Sequence, residues 1–174
     1  MKSLKIKKDE TIRFNGVHVT NGHWLFTPGS NTVSDKSLQA LIDAGIHFTR
    51  CQYDNPVLQT GETENEFDGE RVIPPSMGDE FALIPTKFTA ELGTYAEPVL
   101  CRLFKHRSGR VVAVDERYAV LWQDRACYQK EPLHGLRIEN NRSEVVAVVM
   151  PVNIADTLPG FVSSLARDMV PDKE

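Results

Sequence analysis

Val148-Val149-Met150-Pro151-Val152-Asn153-Ile154 is the stretch that decides how this chain is read. Its β-branched run reads as a strand, and Pro151 has no N–H to give to a ladder, so the strand stops there or becomes an edge. Immediately upstream, Leu133 to Glu139 and Glu144 to Met150 form a hairpin across Asn140-Asn141. Before that, Val99 to Phe104 and Arg110 to Val114 form another across Arg107-Ser108-Gly109, and Asp115 caps a helix with Tyr118, Leu121 and Trp122 on its inner face. The first half repeats this order. Thr11 to Phe14 and Val17 to Phe26 are broken by the tight-turn pairs Asn15-Gly16 and Asn21-Gly22. Ser34 caps a helix running from Asp35 to Ala44, with Leu38, Leu41 and Ile42 on one face and Gly45 as its stop, and Ile46 to Gln52 returns as a strand. Two units of hairpin, helix and returning strands predict an α+β fold, pseudo-duplicated, with a small helix pair packed on antiparallel sheet. Pro74, Pro75 and Gly78 mark the boundary, which gives a first lobe over 1–78, a second over 79–154 and a tail over 155–174.

With 174 residues, 41% of them hydrophobic, the chain can bury a core as one domain or two small lobes. A net charge of −4 argues against a surface that attracts nucleic acid everywhere, so any such contact is regional. Basic residues gather at Lys2, Lys5, Lys7 and Lys8, and again at Arg102, Lys105, His106, Arg107 and Arg110. The second group sits at a strand end and turn tip. It reads either as a phosphate contact or as a charged edge that blocks sheet-to-sheet association. Cys51, Cys101 and Cys127 are odd in number and far apart, which fits a reducing compartment. The polar start and the absence of an apolar run of about 18 residues predict a cytoplasmic protein with no membrane contact.

No reaction is legible. The spacings of His18 with His23, His47 with Cys51, and Cys101 with His106 match no zinc pair. Glu62, Glu64, Glu66 and Asp68 lack the glycine and terminal glutamate of a calcium loop in register, so the segment 61–70 reads as a solvated acidic loop. There is no G-x-S-x-G elbow, no phosphate-binding Gly-Lys-Ser/Thr loop and no G-x-G-x-x-G. The expectation is a protein that is not an enzyme, without catalytic residues, metal or cofactor.

Six strings occur in an order that resembles the bacterial DNA polymerase sliding clamp, the beta subunit. Asn15-Gly16 is followed by Thr20-Asn21-Gly22-His23-Trp24-Leu25, where the family has T-D-G-H-R-L; then come a helix and Phe67-Asp68-Gly69-Glu70-Arg71-Val72-Ile73-Pro74, where it has F-P-D-Y-R-R-V-L-P. Val114-Asp115-Glu116-Arg117-Tyr118 opens the second helix, Leu136-Arg137-Ile138-Glu139 is similar to V-Q-I-E, and the opening stretch is similar to V-V-M-P-M-R-L. The resemblance implies a non-enzymatic protein acting in DNA replication or a related process through a groove that accepts linear peptides. Thr20, Gly22, His23, Trp24 and Leu25 would line one wall, and Val148, Val149, Met150, Pro151, Val152 and Asn153 the other. Met would supply an adaptable apolar floor and Pro a fixed turn. The same residues also read as plain strand core, with Trp24 as a buried anchor.

The sequence departs from the family at Trp24, Val152 and Asn153, which makes the groove less cationic. A clamp subunit has three domains, and this chain has room for a reduced version, so either more than two copies assemble or encirclement of DNA was lost, and the weakly basic helices favour the second. An alternative is a phage- or plasmid-borne inhibitor or decoy with a repurposed clamp-like fold that engages a host replication or defence protein. A second alternative is nucleic-acid binding through Arg102, Lys105, Arg107 and Arg110. Beyond Ile154, Leu158, Phe161, Val162 and Leu165 recur at helical spacing. That tail could dock on the chain's own groove, on a second copy or on a partner.

Overall fold

The computed structural model describes residues 3–6, 10–29, 33–46, 48–51, 68–92 and 98–153. Turn chemistry sets the first three strands, β1 (Ile12–Phe14), β2 (Val19–Thr20) and β3 (Trp24–Phe26), as an antiparallel meander. The Asn15 side chain accepts from the N–H groups of Val17 and His18, and Asn21 accepts from those of His23 and Trp24. Gly16 and Gly22 follow at φ 88° and 91°, the left-handed backbone such turns require.

Helix α1 (Lys36–Asp43) is capped by Asp35, whose carboxylate accepts from Leu38 N at 2.8 Å. The cap thus falls one residue after Ser34. Ser34 N is already bound to Leu4 O at 2.9 Å, which holds that residue in the bridged segment. The helix stops as expected. Gly45 at φ 68° lets its N–H reach Ile42 O and lets Ile46 N reach Leu41 O. Strand β4 (Phe48–Cys51) then returns antiparallel to β1.

A short helix α2 (Gly69–Val72) leads through the 74–78 segment to β5 (Ala82–Leu92), β6 (Val99–His106) and β7 (Val111–Asp115), a second antiparallel meander. Asp115 caps a 3-10 turn, Glu116–Tyr118, that runs into helix α3 (Ala119–Trp122), and Tyr118, Leu121 and Trp122 are all buried. Strand β8 (Ala126–Tyr128) then returns antiparallel to β5, as β4 does to β1. Both groups therefore have the spatial order four, one, two, three, that of a Greek key. The last hairpin, β9 (Leu136–Glu139) and β10 (Val145–Val149), joins them into one ten-stranded antiparallel sheet, β4-β1-β2-β3-β10-β9-β8-β5-β6-β7. The fold is α+β. The sheet crosses the 78/79 position without a break, because β10 pairs with β3.

Strand β5 has no counterpart in the sequence expectations, and it carries Pro85, a residue that a central strand excludes. The pairing explains its tolerance. Only Ala82 and Leu83 pair with β8, so from Ile84 onward β5 has a single neighbour and Pro85 withholds an N–H from nothing.

Side chains alternate across the sheet. On one face Ile12, Phe14, Trp24, Phe26, Ile138 and Val149 join Leu38 and Ile42 of α1 and Leu121 and Trp122 of α3 in one core. Trp122 meets Phe104 edge-on, with centroids 5.1 Å apart. A smaller cluster forms around Leu92, Cys101, Leu103 and Ala113, with Val152 packed against it.

Val152 also gives the sheet its curvature. Its N–H donates to Ala113 O of β7 at 2.8 Å, three residues after β10 ends. In a flat sheet β10 and β7 would stand five spacings apart, roughly 24 Å, whereas three residues reach only about 10 Å. The six strands from β10 to β7 therefore curl round until the chain leaving β10 meets β7. Among the described residues, no helix is long and apolar enough to cross a membrane.

Candidate functional site

The two motifs singled out in the sequence meet as neighbouring strands. Trp24 pairs with Val149 and Leu25 with Val148, and Met150 N donates to His23 O at 2.8 Å. Trp24 and Val149 face the helix-covered core, while Leu25 and Val148 are buried on the opposite face. All four side chains are spent on packing. Thr20 closes the turn, donating to Trp24 O and accepting from Gly22 N. Gly22, His23 and Met150 remain exposed, Met150 at 38%.

The rest of the second motif lines a cavity. Pro151, Val152 and Asn153 form one side of a hollow of about 280 Å³. The start of β7, from Arg110 to Ala113, forms another side, and Gln129, Pro132 and Leu133 the third. This volume lies just below the roughly 300–1,000 Å³ typical of small-molecule sites, room for one or two apolar side chains. Leu133 stands at the rim 54% exposed and at φ 68°, a conformation that costs a non-glycine residue about 1–3 kcal/mol.

Gln129 holds this wall in place. It is fully buried, and its side chain donates to His134 O at 2.7 Å and accepts from Arg110 Nη2 at 3.0 Å. Its backbone carbonyl accepts from Arg110 Nη2 and faces His106 Nε2 at 3.1 Å. A carbonyl only accepts, so His106 carries its proton on Nε2, and Nδ1 is left to accept from Ser108 N at 3.0 Å. Burial first, then the charge of Arg110, lowers the pKa of His106 from 6.5. The neutral ring closes the 106–110 turn and fixes the residue that opens the cavity.

The basic hairpin is largely engaged within the protein. Arg102 is held by Glu116 through two bonds, at 2.6 and 3.0 Å, and Arg110 is turned toward Gln129. Arg107 is exposed at the tip. A second cluster ties the halves together: Arg117 bonds Glu10 at 2.7 Å, approaches Asp115 and stacks on Tyr118. His18, weighed as a metal ligand, is buried against Gly69. Among the described residues, no group of three or more His, Cys, Asp or Glu gathers in a way that could hold a metal ion. Of the acidic loop expected over 61–70, residues 61–67 lie outside the described residues, as does the 155–174 tail, whereas Asp68 caps α2 and Gly69 and Glu70 belong to that helix.

Sequence reasoning had singled out four of the cavity residues, Arg110, Pro151, Val152 and Asn153. It missed Gln129 and Leu133. An apolar residue in the turn-like run Glu131-Pro132-Leu133-His134-Gly135 was the available signal. No protein-family model, curated protein or solved structure matches the chain.

Proposed function

We propose that the protein is a non-catalytic, clamp-like module of DNA replication or a related process that binds a short apolar segment of a partner protein beside Pro151, Val152 and Asn153. The cavity carries this reading: it is walled by Val111, Val112, Ala113, Pro132, Pro151 and Val152, and Leu133 stands exposed at its mouth. Such a hollow rewards insertion of an apolar side chain and offers few groups to transform it. Descent from a clamp is supported by the repeated strand order and by the contact between the Thr20 and Met150 motifs.

The test is a titration of a fluorescent, Leu- and Phe-containing peptide followed by anisotropy. The full chain should bind it with micromolar affinity, and Val152→Asp or Leu133→Asp should abolish binding. Leu25→Asp is a poor probe, because Leu25 is buried and its loss would unfold the sheet. A full chain that leaves the peptide unbound up to about millimolar concentration would refute the proposal.

A further inference from the structure

The cavity is mostly apolar, and its polar lining residues are Arg110, Gln129 and Asn153, of which only Arg110 is charged. Arg110 is half-buried, and its guanidinium makes three bonds: Nη2 to Gln129 O and Oε1, both at 3.0 Å, and Nη1 to Lys130 O at 3.4 Å. All three acceptors are neutral. Arg102, Arg117 and Arg137 each hold a carboxylate at 2.5–2.7 Å, whereas among the described residues Arg110 has no ion-pair partner. The nearby acid, Glu131, acts on it only through space and is exposed, 3.8 Å from His134. Partial removal from water lowers the pKa of Arg110, the mark of a cation short of compensating charge.

The guanidinium is also aimed. Gln129 saturates Nη2 from the buried side, while Nη1 keeps one long bond at the exposed rim. A planar donor fixed on one edge and open on the other is pre-organised for an incoming acceptor, so little entropy is lost on binding. Lys130, whose carbonyl takes the Nη1 bond, is exposed beside Arg110, so that even with the exposed Glu131 next to it the rim stays net positive on a chain whose net charge is −4.

We infer that the ligand of this cavity is acidic as well as apolar: a peptide segment in which an Asp or Glu flanks the apolar anchor, its side-chain carboxylate accepting from Arg110 Nη1. This rests on the peptide-binding reading above and adds charge selection to it. The apolar anchor fills the hollow against Val111 and Val152, and the neighbouring carboxylate sits at the rim. An uncharged amide at the same place makes a weaker bond, and a lysine is repelled.

Two acetylated and amidated hexapeptides test this, identical except for Asp or Asn beside a Leu-Phe anchor, titrated against the full chain and its Arg110→Gln, Arg110→Lys and Val152→Asp variants. The Asp peptide should bind the unsubstituted chain about 5- to 10-fold more tightly than the Asn peptide. Arg110→Gln should equalise the two, Arg110→Lys should keep part of the preference, and Val152→Asp should remove both. Raising the salt to about 0.5 M should shrink the preference on the unsubstituted chain, a reading that needs no substitution to fold. Equal binding of both peptides to the unsubstituted chain would overturn the carboxylate inference and leave the apolar site standing. Failure of both to bind it would overturn the peptide-binding reading and this inference with it.

Discussion

Replacing Glu139 with Met should destabilise the protein by about 3–5 kcal/mol, and adding Arg137→Met should restore most of that loss. The two side chains lie on β9, facing away from the helices, only 11% and 6% exposed, with Arg137 Nε donating to Glu139 Oε1 at 2.5 Å. Arg137 Nη1 also donates to Pro74 O at 2.7 Å, which fastens the 73–77 segment over the sheet. Taking two charges out of water costs several kcal/mol per ion, and their mutual attraction does little more than offset that. Deleting one partner leaves the other buried and uncompensated, while deleting both leaves an apolar patch beside Val148. Urea unfolding of the two single variants and the double variant, read at constant m, measures the cycle. A double variant as unstable as Glu139→Met alone would refute the reasoning, since the loss would then come from packing rather than from a stranded charge.

Three other outcomes are expected. The lowered pKa of His106 means that the folded state binds fewer protons than the unfolded state just below 6.5, so its contribution is fully present above that pH and is lost as pH falls from 6.5 toward the depressed value. Unfolding curves between about pH 7 and 5 should slope less in His106→Gln than in the unsubstituted chain. Cys101 and Cys127 are buried, and burial pushes both thiols up to about 12, so neither should be alkylated by iodoacetamide at about pH 8 until urea is added, as read by peptide mass mapping. A Cβ on Gly135 would sit 2.6 Å from Val148 Cγ1 and 3.4 Å from Met150 Sδ, so Gly135→Ala should lower stability by about 1–3 kcal/mol, which thermal unfolding would detect.

Turn and cap chemistry made most of the fold legible. Gly16, Gly22, Gly45 and Gly109 each take the positive φ that their positions suggest, and the hairpins and helices between them follow. The helix start shifted by one residue because Asp35, an equally good cap, takes the position and accepts from Leu38 N, and local preference does not rank two adjacent cap residues. Strand β5 went unread, and its Pro85 is one that a central strand forbids but a strand losing its second neighbour partway along tolerates. The candidate site was harder to see, since three segments distant in sequence build it and only one carried a motif. Periodicity also could not tell that both faces of β3 and β10 are covered, and that burial turns Trp24, Leu25, Val148 and Val149 from candidate contacts into structure.

The pairing of β10 with β3 and its link to β7 impose an order on assembly. Trp24 and Val149 lie more than a hundred residues apart, so β3 is made long before its partner. At about 5–20 residues per second, the first meander waits on the order of 6 to 25 s with one side of β3 unmatched. During that interval it presents an apolar strand edge that can join a neighbouring nascent chain. The last strand thus sets the moment at which the newborn protein stops being sticky, and shielding of that edge during synthesis becomes a requirement of the topology.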